Sequence, residues 1–205
     1  MTITTQSFKI NTHGIWSGLI TDQHSHDPKL AQQLVTFFQS KNAASVLDLG
    51  AGLGLYTEAL SKNGIFASCY DGNPDTQTLT KGKCAIADLT VDLNFSKYDW
   101  VLCLEVGEHL PKEYEDTLFN NIIRNSKSGI VLSWAIPGQT GDGHINEQSN
   151  DYVKSKMASL GYANNLEAEN ILREASTLAW FKNTIMVFEP SIQQTEISGA
   201  CTDCS

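Results

Sequence analysis

Hydrophobic positions along the chain fall into short continuous runs that alternate with stretches of helical spacing from about residue 28 onward. Asp27 and Pro28 read as an N-cap and a first-turn proline, and they predict a helix through LAQQLVTFFQSK. SVLDLG (45–50) is a short apolar strand running into glycines, and LYTEALSKNG is an amphipathic helix that stops at Gly64. IFASCYD (65–71) and the shorter CAIAD (84–88) are the next two strands. YDWVLCLE (98–105) is apolar throughout, as expected of a strand buried on both faces. Helical spacing returns at Tyr114, Leu118, Ile122 and Ile123, and GIVLSWAIPG is the fifth strand. A polar loop, QTGDGHINEQ, precedes a helix in NDYVKSKMASLG, a short helix near AENILREAS and a last strand in NTIMVFEP. Strands alternating with helices predict an α/β fold, a doubly wound and mostly parallel sheet covered on both faces. Such sheets bind ligands at the carboxyl ends of their strands.

Composition narrows the partners. The 205 residues make one ordinary domain with a small embellishment, and 41% hydrophobic residues supply a sizeable core. The net charge of −9 leaves no basic surplus for gripping phosphates, which disfavours nucleic acid and anionic lipid alike. No segment has the length and apolarity of a membrane span or a signal peptide. Cys69, Cys84 and Cys103 each sit in an apolar run and read as isolated small hydrophobes, which predicts a reducing, cytoplasmic setting. Cys201 and Cys204 form a CxxC in a tail, residues 191–205, that has little to pack against.

Four predicted strand ends carry acidic residues, namely Asp48, Asp71, Asp88 and Glu105. Carboxylates are expensive at buried strand ends unless a ligand or a helix satisfies them, so four in register point to a site. The strand-ending loop Asp48-Leu-Gly50-Ala-Gly52-Leu-Gly54 lacks the third glycine of a dinucleotide fingerprint, since position 55 is Leu55. Asp48 would also repel a pyrophosphate. A ligand with an ammonium and a sulfonium suits the loop better, and S-adenosylmethionine is such a ligand. Asp71, 19 residues beyond Gly52, is spaced to accept from both ribose hydroxyls, and Asp88 is placed for the adenine amino group.

With VLDLGAGLG, YDGN, CAIADL, WVLCLEVGEH and NTIMVFEP, the chain resembles the class I S-adenosylmethionine-dependent methyltransferases over about residues 43–190. The resemblance implies a Rossmann-like seven-stranded sheet with an antiparallel last strand. It also implies that Gly50, Ala51 and Gly52 approach the methionine part, that Asp71 and Gly72 serve the ribose, and that Asp88 and Leu89 flank adenine. Residues 1–42 then form a cap segment and helix ahead of the methyltransferase domain, and Trp16 in that cap is a candidate for shielding the methyl group.

A second constellation follows the fourth strand. If the turn at EVGEHLP is helical, Glu105, Glu108 and His109 share one face, and His144 lies in the loop of the neighbouring strand. Two carboxylates and two imidazoles suit Mg²⁺, Mn²⁺, Fe²⁺ or Zn²⁺. The pattern is similar to the E-x-x-E-H plus distant His of metal-dependent small-RNA 3′-end methyltransferases and of some quinone-pathway O-methyltransferases, while the 138–151 loop and WFKN match an uncharacterised methyltransferase-like subgroup. The blander alternative makes Glu105 a cofactor contact and His144 a lone general base, with His109 and Glu108 structural. His24 and His26 read as polar cap residues or substrate contacts. The expected activity is methyl transfer to an oxygen of a small-molecule acceptor. A non-catalytic cofactor-binding protein and an RNA 3′-end methyltransferase are the alternatives.

Overall fold

The computed structural model describes residues 9–19 and 24–191. A small antiparallel hairpin opens it, β1 (Lys9–Ile10) with β2 (Trp16–Ser17). The body follows as α1 (Pro28–Ser40), β3 (Ser45–Leu49), α2 (Leu55–Lys62), β4 (Phe66–Asp71), α3 (Thr76–Leu79), β5 (Ala85–Ile86) and β6 (Tyr98–Leu104). It continues through α4 (Glu115–Arg124), β7 (Ser126–Ser133), α5 (Asn150–Ser159), β8 (Tyr162–Asn164), α6 (Leu166–Ala175), α7 (Ala179–Thr184) and β9 (Met186–Pro190). Strands β5-β4-β3-β6-β7-β9-β8 form one seven-stranded sheet in that order. The pairings from β5 to β7 are parallel, and β9 runs antiparallel to both β7 and β8. The chain winds outward in both directions from the β3–β6 pair, so the crevice for a ligand lies above the carboxyl ends of those two strands.

Alternation along the central strands splits the core in two. In β6, Trp100 and Leu102 face a layer built from Leu34 and Phe38 of α1, Leu60 of α2 and Leu172 of α6. Val101 and Cys103 face Leu118 and Ile122 of α4 with Val153 and Met157 of α5. Each fully buried Leu or Phe in these layers contributes roughly 1.5–3 kcal/mol.

Three sequence expectations change. The seventh strand is β8, whose Tyr-Ala-Asn has no apolar alternation and is held by pairing with β9. Asn183 and Thr184, expected in the last strand, close helix α7 instead, and the strand begins at Met186. The third change is covalent. Cys69 and Cys84 are bonded as a disulfide rather than standing as separate thiols, which removes the support they lent to a reducing compartment. Parallel pairing of β4 with β5 brings the two positions together although 15 residues separate them. Cys103 is a buried free thiol, and Cys201 and Cys204 lie outside the described residues. Among the described residues no helix is long and apolar enough to cross a membrane.

Asp27 locks the first helix to the far end of the chain. Its Oδ1 accepts from the amides of Lys29 and Leu30, which caps α1. Its Oδ2 accepts from Ser176 Oγ and from the amides of Thr177 and Leu178, between α6 and α7. Burial alone would push this carboxyl up, but the donors from Ser176, Leu30, Thr177 and Leu178 outweigh it and hold it well below the usual carboxylate range. Its stabilisation is therefore present above the unfolded pKa and is lost as pH falls through the lower folded one. Asp27→Ala is expected to lower unfolding stability by about 3 kcal/mol at pH 7 in urea titrations. A loss under half that size, or one undiminished in strong acid, would contradict this account.

Candidate functional site

A cleft of about 380 Å³ opens at the carboxyl edge of β3, β4 and β6, a size suited to one small ligand. Its floor is the glycine loop. Gly50 (φ +75°) packs so closely on Val106 that a Cβ would lie 2.3 Å from the Val106 side chain, while the amides of Gly50 and Ala51 donate to the Tyr70 carbonyl. Gly52 (φ +53°) faces the His24 ring and donates its N–H to Asp71 Oδ2 at 2.8 Å. Asn73 N–H fixes the other Asp71 oxygen at 2.9 Å. Asp71 is thus aimed before any ligand arrives. Gly72 packs against Ile15 of the hairpin.

Asp48 is nearly inaccessible and accepts from Thr57 Oγ1 at 2.7 Å. Burial pushes its carboxyl up to about 7, and Asp71 adds to the rise against the Thr57 hydrogen bond. At the other end, Asp88 accepts from the amide and hydroxyl of Thr90 through Oδ1. Its Oδ2 lies 3.2 Å from His13 Nδ1, a contact that nothing in the sequence singles out. Leu89 is buried beside it.

The second constellation is close-knit but differs from one helical face. Glu105 has φ +53° and stands outside the short 3₁₀ turn Gly107–His109. Gln139 Nε2 and Thr184 Oγ1 occupy its two carboxylate oxygens. Glu108 is fully buried and neither of its carboxylate oxygens makes a hydrogen bond. Burial and the facing Glu105 push its carboxyl well above the usual range, against the nearby amides of Glu108 and Ala135. Its position is set through the backbone, because the Glu108 carbonyl accepts from the amides of Ile145 and Asn146. Trp134 Nε1 holds the Asn146 carbonyl, so the 138–148 loop is pinned onto the turn.

That pinning brings the two histidines together, with ring centroids 5.0 Å apart. Nδ1 of His109 lies 3.3 Å from the Gly143 carbonyl. Nδ1 of His144 lies 3.1 Å from the Gln139 carbonyl and 3.3 Å from Glu147 Oε1. Carbonyl oxygens only accept, so both rings carry Nδ1–H, and in the neutral tautomer that this selects Nε2 is the ligand atom. Burial pushes the His109 imidazole down to about 4, with His144 adding to the shift, and keeps it neutral at ordinary pH. One ligand atom each from Glu108, His109 and His144 lie within 4.8 Å of one another. An orphaned buried carboxylate beside two Nδ1–H imidazoles is a donor set that fits a divalent cation.

Trp16 lines the same cleft, edge-on to His109 at 5.1 Å. His24 and His26 line it as well. Sequence reasoning missed Gln139, Thr184, Asn146, Glu147 and His13. Of these Gln139, Asn146 and Glu147 lie in the polar loop that the sequence marks, whereas Thr184 and His13 left no trace.

Comparison with known proteins bears on this geometry. No known family profile matches the chain. It is 29% identical over 119 residues to a ubiquinone biosynthesis O-methyltransferase of Methylococcus capsulatus, covering 52% of this chain and 50% of that protein, so the match spans about half of the relative's length. Among solved structures, the magnesium protoporphyrin IX methyltransferase ChlM of Synechocystis with bound SAH superposes with a TM-score of 0.61 at 17% identity, over 78% of this chain and 82% of that one. The sugar N-methyltransferase KedS8 of Streptoalloteichus gives 0.63 at 13% identity, over 80% and 87%. The methyltransferase domain of bacterial CtHen1 gives 0.57 at 17% identity, over 80% and 97%. The fold is that of the class I methyltransferases.

A buried carboxylate without a partner opposes folding. Glu108→Gln is expected to raise unfolding stability by about 1–2 kcal/mol at pH 7 in excess chelator. The gap should close in acid, below the unfolded carboxylate pKa, where Glu108 is protonated in both states. Equal or lower stability of the variant at pH 7 would show that the nearby amides of Glu108 and Ala135 satisfy the Glu108 carboxylate.

Proposed function

We propose that the chain is an S-adenosylmethionine-dependent methyltransferase that methylates an oxygen of a small molecule, with a divalent cation held by Glu108, His109 and His144. The observation that carries this is the orphaned Glu108 carboxylate, buried beside two imidazoles at the edge of a glycine-loop cleft. The O-methyltransferase relative and the structural neighbours with bound SAM or SAH support the cofactor assignment.

S-adenosylmethionine supplies an electrophilic methyl group on a sulfonium that leaves readily, and a divalent cation supplies a Lewis acid that lowers the pKa of an acceptor hydroxyl. The chain's own residues do the positioning. Asp71, already oriented by Gly52 and Asn73, keeps lone pairs for the ribose hydroxyls. Gly50, Ala51 and Gly52 give close backbone approach to the methionine part. Asp88 and Leu89 mark the adenine end, with Asp88 exchanging its His13 contact for the base. Asp48 and Glu105 present negative charge toward a cofactor that carries an ammonium and a sulfonium, and Trp16 closes the cleft over His109. Fixing donor and acceptor in line lowers the barrier by up to about 7–11 kcal/mol.

The His144–Glu147 pair favours a second reading of the same site. Glu147 Oε2 is itself held by the Gly138 amide, so the carboxylate orients His144. In that reading His144 takes the acceptor proton directly, without a cation.

Two measurements test the assignment. Asp71→Ala should lose roughly 2–4 kcal/mol of S-adenosylmethionine affinity by calorimetry, since charge-assisted ribose contacts disappear. Unchanged affinity, or tight NAD binding by the wild type, would sink the cofactor reading. Turnover should vanish in excess chelator and return with Mg²⁺, Mn²⁺, Fe²⁺ or Zn²⁺, and Glu108→Ala should lose turnover while still binding the cofactor. Full activity in chelator would leave His144 acting as a general base.

A further inference from the structure

All five histidines of the chain line the cleft, and none of its 14 lysines and arginines does. The segments outside the described residues contain no lysine or arginine, so no other basic side chain of this sequence is left to enter it. Nine of the basic residues pair with carboxylates outside the cleft. Lys62 and Lys83 pair with Glu58, Lys112 with Glu115, and Lys154 and Arg173 with Glu169. Against this, Asp48, Asp71, Asp88, Glu105 and Asp142 line the cleft, and Glu108 lies buried beside them.

We propose that the acceptor is an uncharged or cationic hydroxyl compound, and that the cleft rejects acceptors bearing phosphate or carboxylate, a 3′-terminal nucleotide among them. This rests on the methyltransferase reading given above. A divalent cation would balance Glu105 and Glu108. The cofactor's single net positive charge would balance one of the four remaining aspartates. Negative charge persists even with Asp48 protonated. An anionic group entering such a cleft sheds its water and meets no ammonium or guanidinium to replace it. The histidines do not substitute. His13 faces Asp88 at 3.2 Å, His109 and His144 are committed to the cation in the reading above, and burial pushes His24 and His26 below their ordinary value. An ammonium-bearing acceptor meets the opposite field, and a neutral one is indifferent to it. The discrimination is one of repulsion, which specificity commonly needs alongside attraction.

A matched series separates charge from shape: catechol, its 4-(2-aminoethyl) derivative and 3,4-dihydroxybenzoate, compared by kcat/KM at pH 8 with cofactor and Mg²⁺. The carboxylate member is expected to fall about tenfold or more below the other two, a gap of roughly 1.4 kcal/mol or more. Asp142→Lys, at the exposed mouth, should narrow the gap severalfold by raising the carboxylate member and lowering the amine. Equal or better use of the carboxylate, methylation of a short RNA 3′ end, or no turnover of any of the three would overturn the proposal. Cofactor affinity measured by calorimetry on the same preparation keeps the two claims apart, since its absence would defeat the methyltransferase reading itself.

Discussion

Six carboxylates converge on one edge of a parallel sheet with no ammonium or guanidinium among them, and much of the local architecture is a response to that constraint. Removing ionised carboxylates from water is unfavourable unless hydrogen bonds replace the water. Asp71 is met by two backbone amides, Asp88 by a threonine amide and hydroxyl, Glu105 by Gln139 and Thr184, and Asp48 by Thr57. Neutral donors leave the charges in place, which suits a cationic ligand. Glu108 is the fully buried one whose oxygens make no hydrogen bond of good geometry, and there the constraint is left to a ligand to resolve.

Holding that arrangement requires a scaffold that does not relax around it. Asn121 of α4 and Asn125, which caps that helix, act as surrogate strand edges for the irregular 89–95 segment. Asn121 donates to the carbonyls of Leu89 and Val91 and accepts from the Leu93 amide. Asn125 donates to the Leu93 carbonyl and accepts from the Phe95 amide. The Asp88–Leu89 end of the cleft is therefore fastened to a helix buried in the second core layer. Asn146 does the same for the other end, joining the Glu108 carbonyl through its own amide and the Glu115 carboxylate through its side chain. Each fastening group is buried and hydrogen-bonded, so loss of one partner would leave the other stranded.

The order of elements and the acidic strand ends were legible because both follow from local pattern. Continuous apolar runs mark β3 and β6, and the glycines after Asp48 mark a tight turn. What stayed hidden depended on tertiary pairing. Strand β8 has no period of its own and exists through β9. The Cys69–Cys84 bond needed the β4–β5 register before the two thiols could be seen as neighbours. The one-face reading of Glu105, Glu108 and His109 assumed helical backbone, whereas Glu105 adopts a positive φ that takes it out of the turn. Its partners Gln139 and Thr184 lie 34 and 79 residues away, beyond any local signal.

The disulfide bears on the glycine loop from beneath. A Cβ on Gly54 would lie 2.6 Å from Cys84 Sγ and 3.5 Å from Cys69 Sγ, so the start of α2 rests on the sulfur pair. Gly54 also has φ +66°, which gives a second and independent reason for glycine there. From above, the loop meets Val106 at Gly50 and His24 at Gly52. A covalent tie below and packed side chains above leave the loop one conformation, already joined to Asp71 through the Gly52 amide. Binding to such a loop need not order it first, and the affinity otherwise spent on ordering remains available for holding a ligand in line. The glycines are thus required by the neighbours that crowd them as much as by close approach of a ligand, and a loop crowded in this way is preorganised by the fold itself.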